Sequence, residues 1–438
     1  MCESDSSTYD NILQDNISQD NISQDTSSQD ISSQDTSSQL SVYNINLAGD
    51  IINNYNVIIE LGRGSYSIVW LVYSIKDSNF YAMKVQNPED FDEGVDEINI
   101  LKKIPPNEQY INKLVDYFVE VRIDENDDSI EYKFMCSVYK LCCGNLDGLS
   151  RKGEYANGFS INVVKKILKQ VCSGLNTIHT KLNGFHGDIK PDNILLCGIN
   201  NRDNEYIELY KKADYSYLYN KSKNIYMKEN DVKKISIENK LRMRKTIHEK
   251  IIAGMPYIDT SPYICKDKYI ENPMIKITDF GFYCHDNEQF NESFGTCYYM
   301  APEIILKGDC TNMVDIWALG CMMYELVTGE ILFDSDDKLS EDNINISHLN
   351  HITKLCGNFD IKYLNKTEHG KEYTCKKNIN KNNLSLSTNS IVNAIHNKLK
   401  EHDINDIVLA DLLEKMLRLT PTKRYTCKEI ISHKWLTN

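Results

Sequence analysis

The stretch His186-Gly187-Asp188-Ile189-Lys190-Pro191-Asp192-Asn193-Ile194-Leu195-Leu196 determines how the rest of the chain is interpreted. It predicts a polar loop followed by a short buried strand. Phosphoryl transfer depends on positioning and charge neutralisation more than on covalent chemistry, and three side chains suit those tasks. Asp188 can accept the proton of an attacking hydroxyl, Lys190 can steady the transferred phosphate, and Asn193 can bind Mg²⁺. The alternative interpretation is a polar turn in front of a buried strand.

A lysine on a predicted strand supports the catalytic interpretation. Tyr81-Ala82-Met83-Lys84-Val85 places one cation among apolar residues, which is costly unless the cation is paired. The Lys84 cation therefore needs anionic partners, such as phosphate groups and the carboxylate of a helix glutamate. The helix is predicted over Val95 to Lys103, and both Glu93 and Glu97 are candidates. Glu97 is preferred because Leu101, four residues later, shares its helix face. The alternative is that both glutamates are solvated surface charges.

Two glycines precede this strand in Gly62-Arg63-Gly64-Ser65-Tyr66-Ser67, between stretches of strand-forming residues. Glycine lets backbone N–H groups approach phosphates without a clash from Cβ. The pattern is weak alone, because many hairpins contain two glycines in this spacing. It gains meaning from Lys84 and from Thr278-Asp279-Phe280-Gly281, which lies 86 residues beyond Asn193.

In this order, and with Gly295-Thr296-Cys297-Tyr298-Tyr299-Met300-Ala301-Pro302-Glu303, these motifs resemble the protein-kinase superfamily, Ser/Thr branch, across about residues 55–438. The resemblance implies an α+β, bilobal protein-kinase fold. Its β-rich N-lobe would span 55–141 and its helical C-lobe 142–438, with an insertion at 198–272. The insertion, in which Asp231 to Ile252 is predicted helical, is either a docking or regulatory element or partly disordered.

The resemblance also implies ATP and Mg²⁺ as cofactors and assigns roles to residues. The catalytic set is Lys84, Glu97, Asp188 and Lys190, and the metal ligands are Asn193 and Asp279. Tyr139 would lie behind the adenine. Thr296 would contact Asp188 and Lys190, Glu303 would pair with Arg424, and Asp315 would bind the catalytic-loop backbone. The expected nucleotide contacts are Leu61, Gly62, Arg63, Gly64, Ser65, Tyr66, Ser67, Val69, Ala82, Lys84, Lys140, Cys142 and Leu195.

Within the superfamily, the long insertion and the segment Thr328-Gly329-Glu330-Ile331-Leu332-Phe333 resemble the SR-protein kinases. Gly187 departs from the arginine usual before the catalytic Asp. An acidic cluster follows Thr328, and it favours Arg-rich Ser segments as protein substrates. The alternative for the cluster is a solvated acidic loop. Its members are Glu330, Asp334, Asp336, Asp337, Glu341 and Asp342.

Composition limits the other possibilities. The net charge of the 438 residues is −14, and residues 1–50 hold nine acidic residues and no Lys or Arg. A five-residue unit repeats there from Asp15 to Gln39, which predicts a disordered acidic tail or a repeat expansion without a role. The mildly acidic remainder gives no support for nucleic-acid binding.

No apolar run is long enough to span a bilayer, and no secretory signal is recognisable. The 14 scattered cysteines predict free thiols in a reducing compartment. We therefore expect an intracellular protein, cytoplasmic or nuclear, without a membrane partner. The alternative to a Ser/Thr protein kinase is a pseudokinase-like scaffold that binds partners through tail and insertion. A small-molecule kinase is disfavoured by Ala301-Pro302-Glu303, which shapes a peptide platform.

Overall fold

The computed structural model describes residues 46–123, 129–150, 155–258, 270–286, 294–334, 341–376 and 387–437. The predicted tail up to residue 45 lies outside these residues, and so does the acidic stretch 124–128, for which the sequence predicts a turn between two strands. Among the described residues, no helix combines the length and apolar character needed to cross a membrane.

The N-terminal lobe is a six-stranded antiparallel sheet. Its strands are β1 Ile51–Ile52, β2 Tyr55–Arg63, β3 Ser67–Ser74, β4 Phe80–Gln86, β5 Leu114–Ile123 and β6 Glu131–Tyr139. They lie in the order β1-β2-β3-β4-β6-β5. Residues alternate along β3, so that Trp70 and Val72 enter the core while Val69, Leu71 and Tyr73 face the other side. Leu47 packs into the same core, so this lobe begins before the predicted boundary at residue 55.

Helix α1, Phe91–Leu101, lies against β6 and carries Glu97 on its buried side. It begins four residues before the predicted start at Val95 and ends two residues before Lys103. Pro88 starts a short 3-10 turn directly in front of it, which sets the entry of the chain into the helix.

The C-terminal lobe is mainly helical and is built around α8, Met313–Thr328, which is buried on nearly all sides. Short strands β7 Cys142–Asn145, β8 Gly184–Phe185, β9 Ile194–Cys197, β10 Ile275–Ile277 and β11 Cys284–His285 form its front edge. The helices outside the insertion are α2 Leu146–Ser150, α3 Ile161–Thr177, α7 Pro302–Ile305, α8, α9 Glu341–Cys356, α10 Ile361–Leu364, α11 Gly370–Lys376, α12 Thr388–Lys400, α13 Ile407–Met416, α14 Cys427–Ile431 and α15 Lys434–Thr437.

The insertion expands the loop between β9 and β10, which pair in antiparallel fashion. It contains α4 Asn201–Ala213, α5 Tyr215–Glu229 and α6 Ile237–Ala253. The predicted helix from Asp231 to Ile252 is wrong at its start. Asp231 has a left-handed φ of 47°, and the side chain of Ser236 caps α6 by accepting a hydrogen bond from Asn239 N.

The three insertion helices pack on the N-terminal lobe, against the sheet face that carries Val69 and Ala82. Leu71 and Tyr73 continue this face away from the cleft and are buried by the helices. A chain of hydrogen bonds crosses the interface. Asn56 Nδ2 donates to Tyr210 Oη at 2.8 Å, Tyr210 Oη lies 3.2 Å from His248 Nδ1, and His248 Nε2 donates to the Val57 carbonyl at 2.8 Å.

Candidate active site

The lysine of β4 and the glutamate of α1 meet in the cleft between the lobes. Lys84 Nζ lies 2.7 Å from Glu97 Oε2 and 3.2 Å from Asp279 Oδ1. Glu97 Oε1 also accepts a hydrogen bond from Phe280 N at 3.1 Å. Glu93 is exposed on the same helix. The structure therefore brings Glu97, rather than Glu93, to Lys84, and it connects both to the segment that contains Asp279.

The charges of this group stabilise one another. Burial disfavours the Lys84 cation, but the carboxylates of Glu97 and Asp279 outweigh it and raise the pKa of Lys84. The neighbouring Lys84 cation lowers the pKa of Asp279. Asp279 has a left-handed φ of 66°, and its side chain remains 47% exposed. This unusual backbone conformation turns an ionised carboxylate into the cleft.

The loop that follows β8 positions Asp188 among three polar partners. Asn193 Nδ2 donates to Asp188 Oδ2 at 3.0 Å and to the Asp188 carbonyl at 2.8 Å. Thr296 Oγ1 donates to Asp188 Oδ1 at 2.8 Å and accepts from Lys190 Nζ at 2.7 Å. Lys190 Nζ also lies 2.7 Å from Asp188 Oδ2. Asp188, Lys190 and Thr296 thus form a closed triangle of charge-assisted contacts.

A buried carboxylate fixes this loop from behind. Asp315 of α8 accepts hydrogen bonds from His186 N at 2.9 Å and Gly187 N at 3.0 Å. His179 Nε2 lies 2.8 Å from the same carboxylate. Burial opposes the charge on His179, but the hydrogen bond to Asp315 raises the pKa of His179 to about 10. The loop backbone therefore rests on a buried ion pair.

Gly187 has a left-handed φ of 84°, and a Cβ at this position would lie 2.4 Å from the Phe282 carbonyl oxygen. A side chain would therefore require Gly187 or Phe282 to move. This contact explains in physical terms why glycine suits the position.

The segment after Thr296 is fixed to the C-terminal lobe. Glu303 and Arg424 form a bidentate ion pair at 2.5 and 2.7 Å in which both side chains are fully buried. Breaking such a pair usually costs about 3–5 kcal/mol. Tyr299 donates to Glu325 of α8 at 2.5 Å.

The profile of the protein kinase domain matches residues 55–216 and 203–436. The chain belongs to the protein kinase family. The serine/threonine-protein kinase SRPK of Physarum polycephalum is 26% identical over 88% of this chain and 86% of its own length. SRSF protein kinase 3 of Mus musculus is 23% identical over 89% of this chain and 87% of its own length.

A relative from Acanthamoeba polyphaga mimivirus is named "Putative serine/threonine-protein kinase L205". It is 26% identical over 88% of this chain and 87% of its own length. The chain is thus a serine/threonine protein kinase, similar to the SR-protein kinases, as the sequence motifs predict.

The predicted nucleotide contacts of the kinase come from both lobes, and their role stays a prediction. Gly62, Gly64, Ser65 and Tyr66 form the exposed tip of the β2–β3 hairpin together with Arg63. Ser67 is partly exposed at the start of β3. The partly exposed apolar residues are Leu61, Val69 and Ala82 from the sheet and Leu195 from β9. Lys140 and Cys142 lie in the segment that joins β6 to β7. Their assignment as adenine-binding residues stays a prediction.

The family uses ATP and typically Mg²⁺, and the donor set of the site fits a hard cation. Asn193 uses its amide nitrogen toward Asp188, which leaves the amide oxygen for another partner. The partly exposed Asp279 supplies an ionised carboxylate. Carboxylate and amide oxygens are the ligands that Mg²⁺ prefers.

Two supporting features of the site were missed by the sequence analysis. The first is His179, whose position on a helical turn gave no sign of its contact with Asp315. The second is the insertion, because Arg202 donates to the carbonyl of Glu60 at 2.9 Å, directly beside Leu61. The aromatic and basic composition of the insertion was visible in the sequence, but its packing partner was not.

Proposed function

We propose that this kinase transfers the γ-phosphate of ATP to serine residues in Arg-rich protein segments. The catalytic part of this proposal rests on the hydrogen bonds of the Thr296 hydroxyl, which donates to Asp188 and accepts from Lys190. A substrate hydroxyl requires the same base, and the transferred phosphate requires the same cation.

The chain's own groups have distinct roles in this mechanism. Asp188 accepts the proton of the attacking hydroxyl, and Asn193 orients its carboxylate. Lys190 stabilises the charge on the transferred phosphate. Lys84, held by Glu97, binds the other phosphates of the nucleotide. Mg²⁺, held by Asn193 and Asp279, would neutralise phosphate charge.

An acidic groove near Asp188 supports the preference for Arg-rich substrates. Thr296 contacts Asp188, and Tyr299, three residues later, contacts Glu325 at the wall of the groove. Three residues span at most about 10 Å between Cα atoms, so with the two side chains the Glu325 carboxylate lies within roughly 20 Å of the Thr296 hydroxyl. It has a volume of about 760 Å³.

The wall of the groove carries more acidic than basic side chains. Its charged residues are Glu325, Glu330, Asp334, Glu401, Lys354 and Lys398. Such a surface attracts cationic peptides, and the attraction weakens with salt. Asp336 and Asp337 of the predicted acidic cluster lie outside the described residues, and Glu341 and Asp342 begin α9. The names of the SRPK and SRSF relatives support the same substrate class.

The decisive experiment compares Arg-Ser, Lys-Ser, Ala-Ser and Asp-Ser repeat peptides at low and high salt, with Asp188→Asn as the inactive control. We expect the highest kcat/KM for Arg-Ser, and a smaller advantage at high salt. Equal rates on all four peptides would reject the substrate preference. Equal rates for wild type and Asp188→Asn would reject the catalytic assignment and favour the scaffold alternative.

A pair of variants tests the groove directly. Glu330 and Asp334 are both exposed, so Glu330→Gln with Asp334→Asn should preserve the fold and reduce the Arg-Ser preference. The matched control is Glu131→Gln with Glu205→Gln, which removes the same charge at exposed positions on β6 and α4. An equal reduction in both variants would mean that net charge, rather than the groove, sets the preference.

We also propose an intracellular location, cytoplasmic or nuclear. No disulfide is formed by the cysteines whose side chains the structure describes, which is usual in reducing compartments. Imaging of a fluorescently tagged chain tests this proposal, and an extracellular signal would reject it.

A further inference from the structure

A cavity lies between α5 and α6 of the insertion, at the end of β3 that points away from the active site. Its volume is about 370 Å³. Ile75, which follows β3, is six residues from Val69 of the nucleotide site, or roughly 20 Å along an extended strand. The wall combines apolar and basic side chains, among them Ile75, Tyr219, Ile237, Leu241, Lys240 and Arg244.

Two polar side chains of this cavity are poorly paired. The Nε and Nη2 atoms of Arg244 and the hydroxyl of Tyr215 are buried without a hydrogen bond of normal geometry to any residue that the structure describes. Burial raises the pKa of Tyr215, and the neighbouring Arg244 cation offsets part of that effect. Neither Lys240 nor Arg244 forms an ion pair within the described part of the chain. Arg244 is partly buried, and two of its guanidinium nitrogens lack an acceptor. An anionic group in the cavity would complete their hydrogen bonds, so the cavity is suited to an anion.

The charge around the cavity is opposite to that of the chain as a whole. Residues 215–253 contain ten Lys and Arg against four Asp and Glu, a net charge of +6, in a chain whose net charge is −14. Residues 1–45 carry eight acidic residues and no Lys or Arg. The two segments therefore carry opposite net charge.

The described chain begins beside α6. Leu47 is anchored in the N-lobe core, and a Cβ built at Gly49 would lie 3.9 Å from Glu249 Cγ. Arg244 is five residues from Glu249 along the helix, or about 8 Å. A 45-residue segment can extend to roughly 150 Å, so it reaches the cavity easily.

We propose that the cavity binds the acidic repeats of residues 1–45, with an aspartate carboxylate on Arg244 and an adjacent isoleucine among the apolar residues. The repeats place these groups close together, as in Asp15 with Ile17 and Asp20 with Ile22. Tethering gives the tail an effective concentration in the millimolar range, so a weak site would be occupied within one molecule.

The test measures binding of a fluorescein-labelled peptide of residues 11–35 by fluorescence anisotropy. The first host is the full chain with Asp15, Asp20, Asp25, Asp30 and Asp35 replaced by Asn. It is called the neutral-tail host because its repeats carry no charge, although Glu3, Asp5 and Asp10 remain in front of them. The second host is the wild-type chain. We expect the peptide to bind the neutral-tail host at least tenfold more tightly, because the wild-type tail competes. Equal binding to both hosts, or no binding to the neutral-tail host, would overturn the proposal.

Substitutions in the neutral-tail host locate the site. Arg244→Glu and Lys240→Glu should each weaken binding about tenfold or more. The matched control is Arg242→Glu, an exposed residue of α6 outside the cavity wall, which should weaken binding by less than about threefold. Lys240 is exposed, so its variant keeps the test informative if Arg244→Glu fails to fold. Equal weakening by Lys240→Glu and Arg242→Glu would indicate diffuse attraction to the helix and would refute the proposed site.

The peptide itself supplies the last control. A version with Ile17, Ile22 and Ile31 replaced by Ser keeps every charge and should bind several-fold more weakly. Unchanged affinity would show that the apolar wall takes no part, which would contradict the proposed binding mode.

Discussion

Replacing Asp188 with Asn removes a base while keeping an oxygen that can accept from Thr296. We expect Asp188→Asn to reduce kcat by about 10²–10⁴-fold, the usual contribution of a positioned base. The melting temperature should remain within a few degrees of wild type, because the contacts of Asn193 and Thr296 with the loop are largely preserved. Steady-state kinetics with thermal unfolding tests this. A folded variant with nearly wild-type kcat would contradict the assignment.

Gly187, one residue earlier, permits a conformation that a side chain would strain. Gly187→Ala places a Cβ 2.4 Å from the Phe282 carbonyl at a φ of 84°. We expect a loss of roughly 1–3 kcal/mol in unfolding free energy and a lower kcat, because Asp188 is the next residue. Gly254→Ala is the matched control, since its Cβ would meet nothing closer than 3.5 Å. If Gly187→Ala matched this control in denaturant unfolding, the strain argument would be wrong.

At the level of elements, the segment from Asp279 to Glu303 is called the activation segment, and its described residues contact the loop that contains Asp188. Thr296 joins Asp188 and Lys190, and Lys84 is already paired with Glu97. Gly187 also cannot supply the guanidinium that would bind a phosphate on this segment. We therefore expect phosphatase-treated kinase to keep its kcat/KM. A large loss on treatment, reversed by rephosphorylation of Thr296, would contradict this expectation.

The insertion makes the N-lobe sensitive to acid through one histidine. Burial lowers the pKa of His248 to about 4, below its unfolded value near 6.5. Neutral His248 therefore makes its full contribution to the free energy of unfolding above pH 6.5, and this contribution is lost as the pH falls toward 4. The loss should reach about 2 kcal/mol at pH 5.

His248→Gln keeps a donor and an acceptor but does not titrate. Urea unfolding measures the free energy of unfolding of this variant at pH 7 and at pH 5. The decrease in that free energy between the two pH values should be about 2 kcal/mol smaller than in wild type. His348, whose pKa is also lowered to about 4 by burial, contributes a separate loss that the variant retains. An identical drop in both proteins would mean that His248 does not couple acid to unfolding.

In the whole molecule, the proposed tail site and the nucleotide site lie on opposite ends of the same sheet face. Neutralising the five repeat aspartates should therefore leave kcat/KM within about twofold of wild type on a short peptide substrate. Parallel kinetic measurements on the two full-length proteins check this. A several-fold change would mean that the tail acts on the cleft.

The sequence analysis named side chains that the structure brings together, because the motifs that contain them are local. Asp188, Lys190 and Asn193 lie within six residues, and Lys84 is identified by its apolar strand. The choice of Glu97 over Glu93 required a further argument, namely that Glu97 shares a helix face with the apolar Leu101. The interface of the insertion could not be predicted in this way, because its hydrogen bonds join Asn56 to Tyr210 and Val57 to His248. Partners 154 and 191 residues apart leave no periodic signal near either residue.

This distance has a consequence for synthesis on the ribosome. The outer residues Leu71 and Tyr73 of β3 are covered by side chains as late as Ile251. At about 5–20 residues per second, translation leaves that apolar surface uncovered for roughly 10–35 s after β3 is made. Chaperones that bind apolar surface would thus be expected to bind the nascent N-lobe during this interval. Slow codons between β3 and α6 would lengthen its exposure and lower the yield of folded kinase.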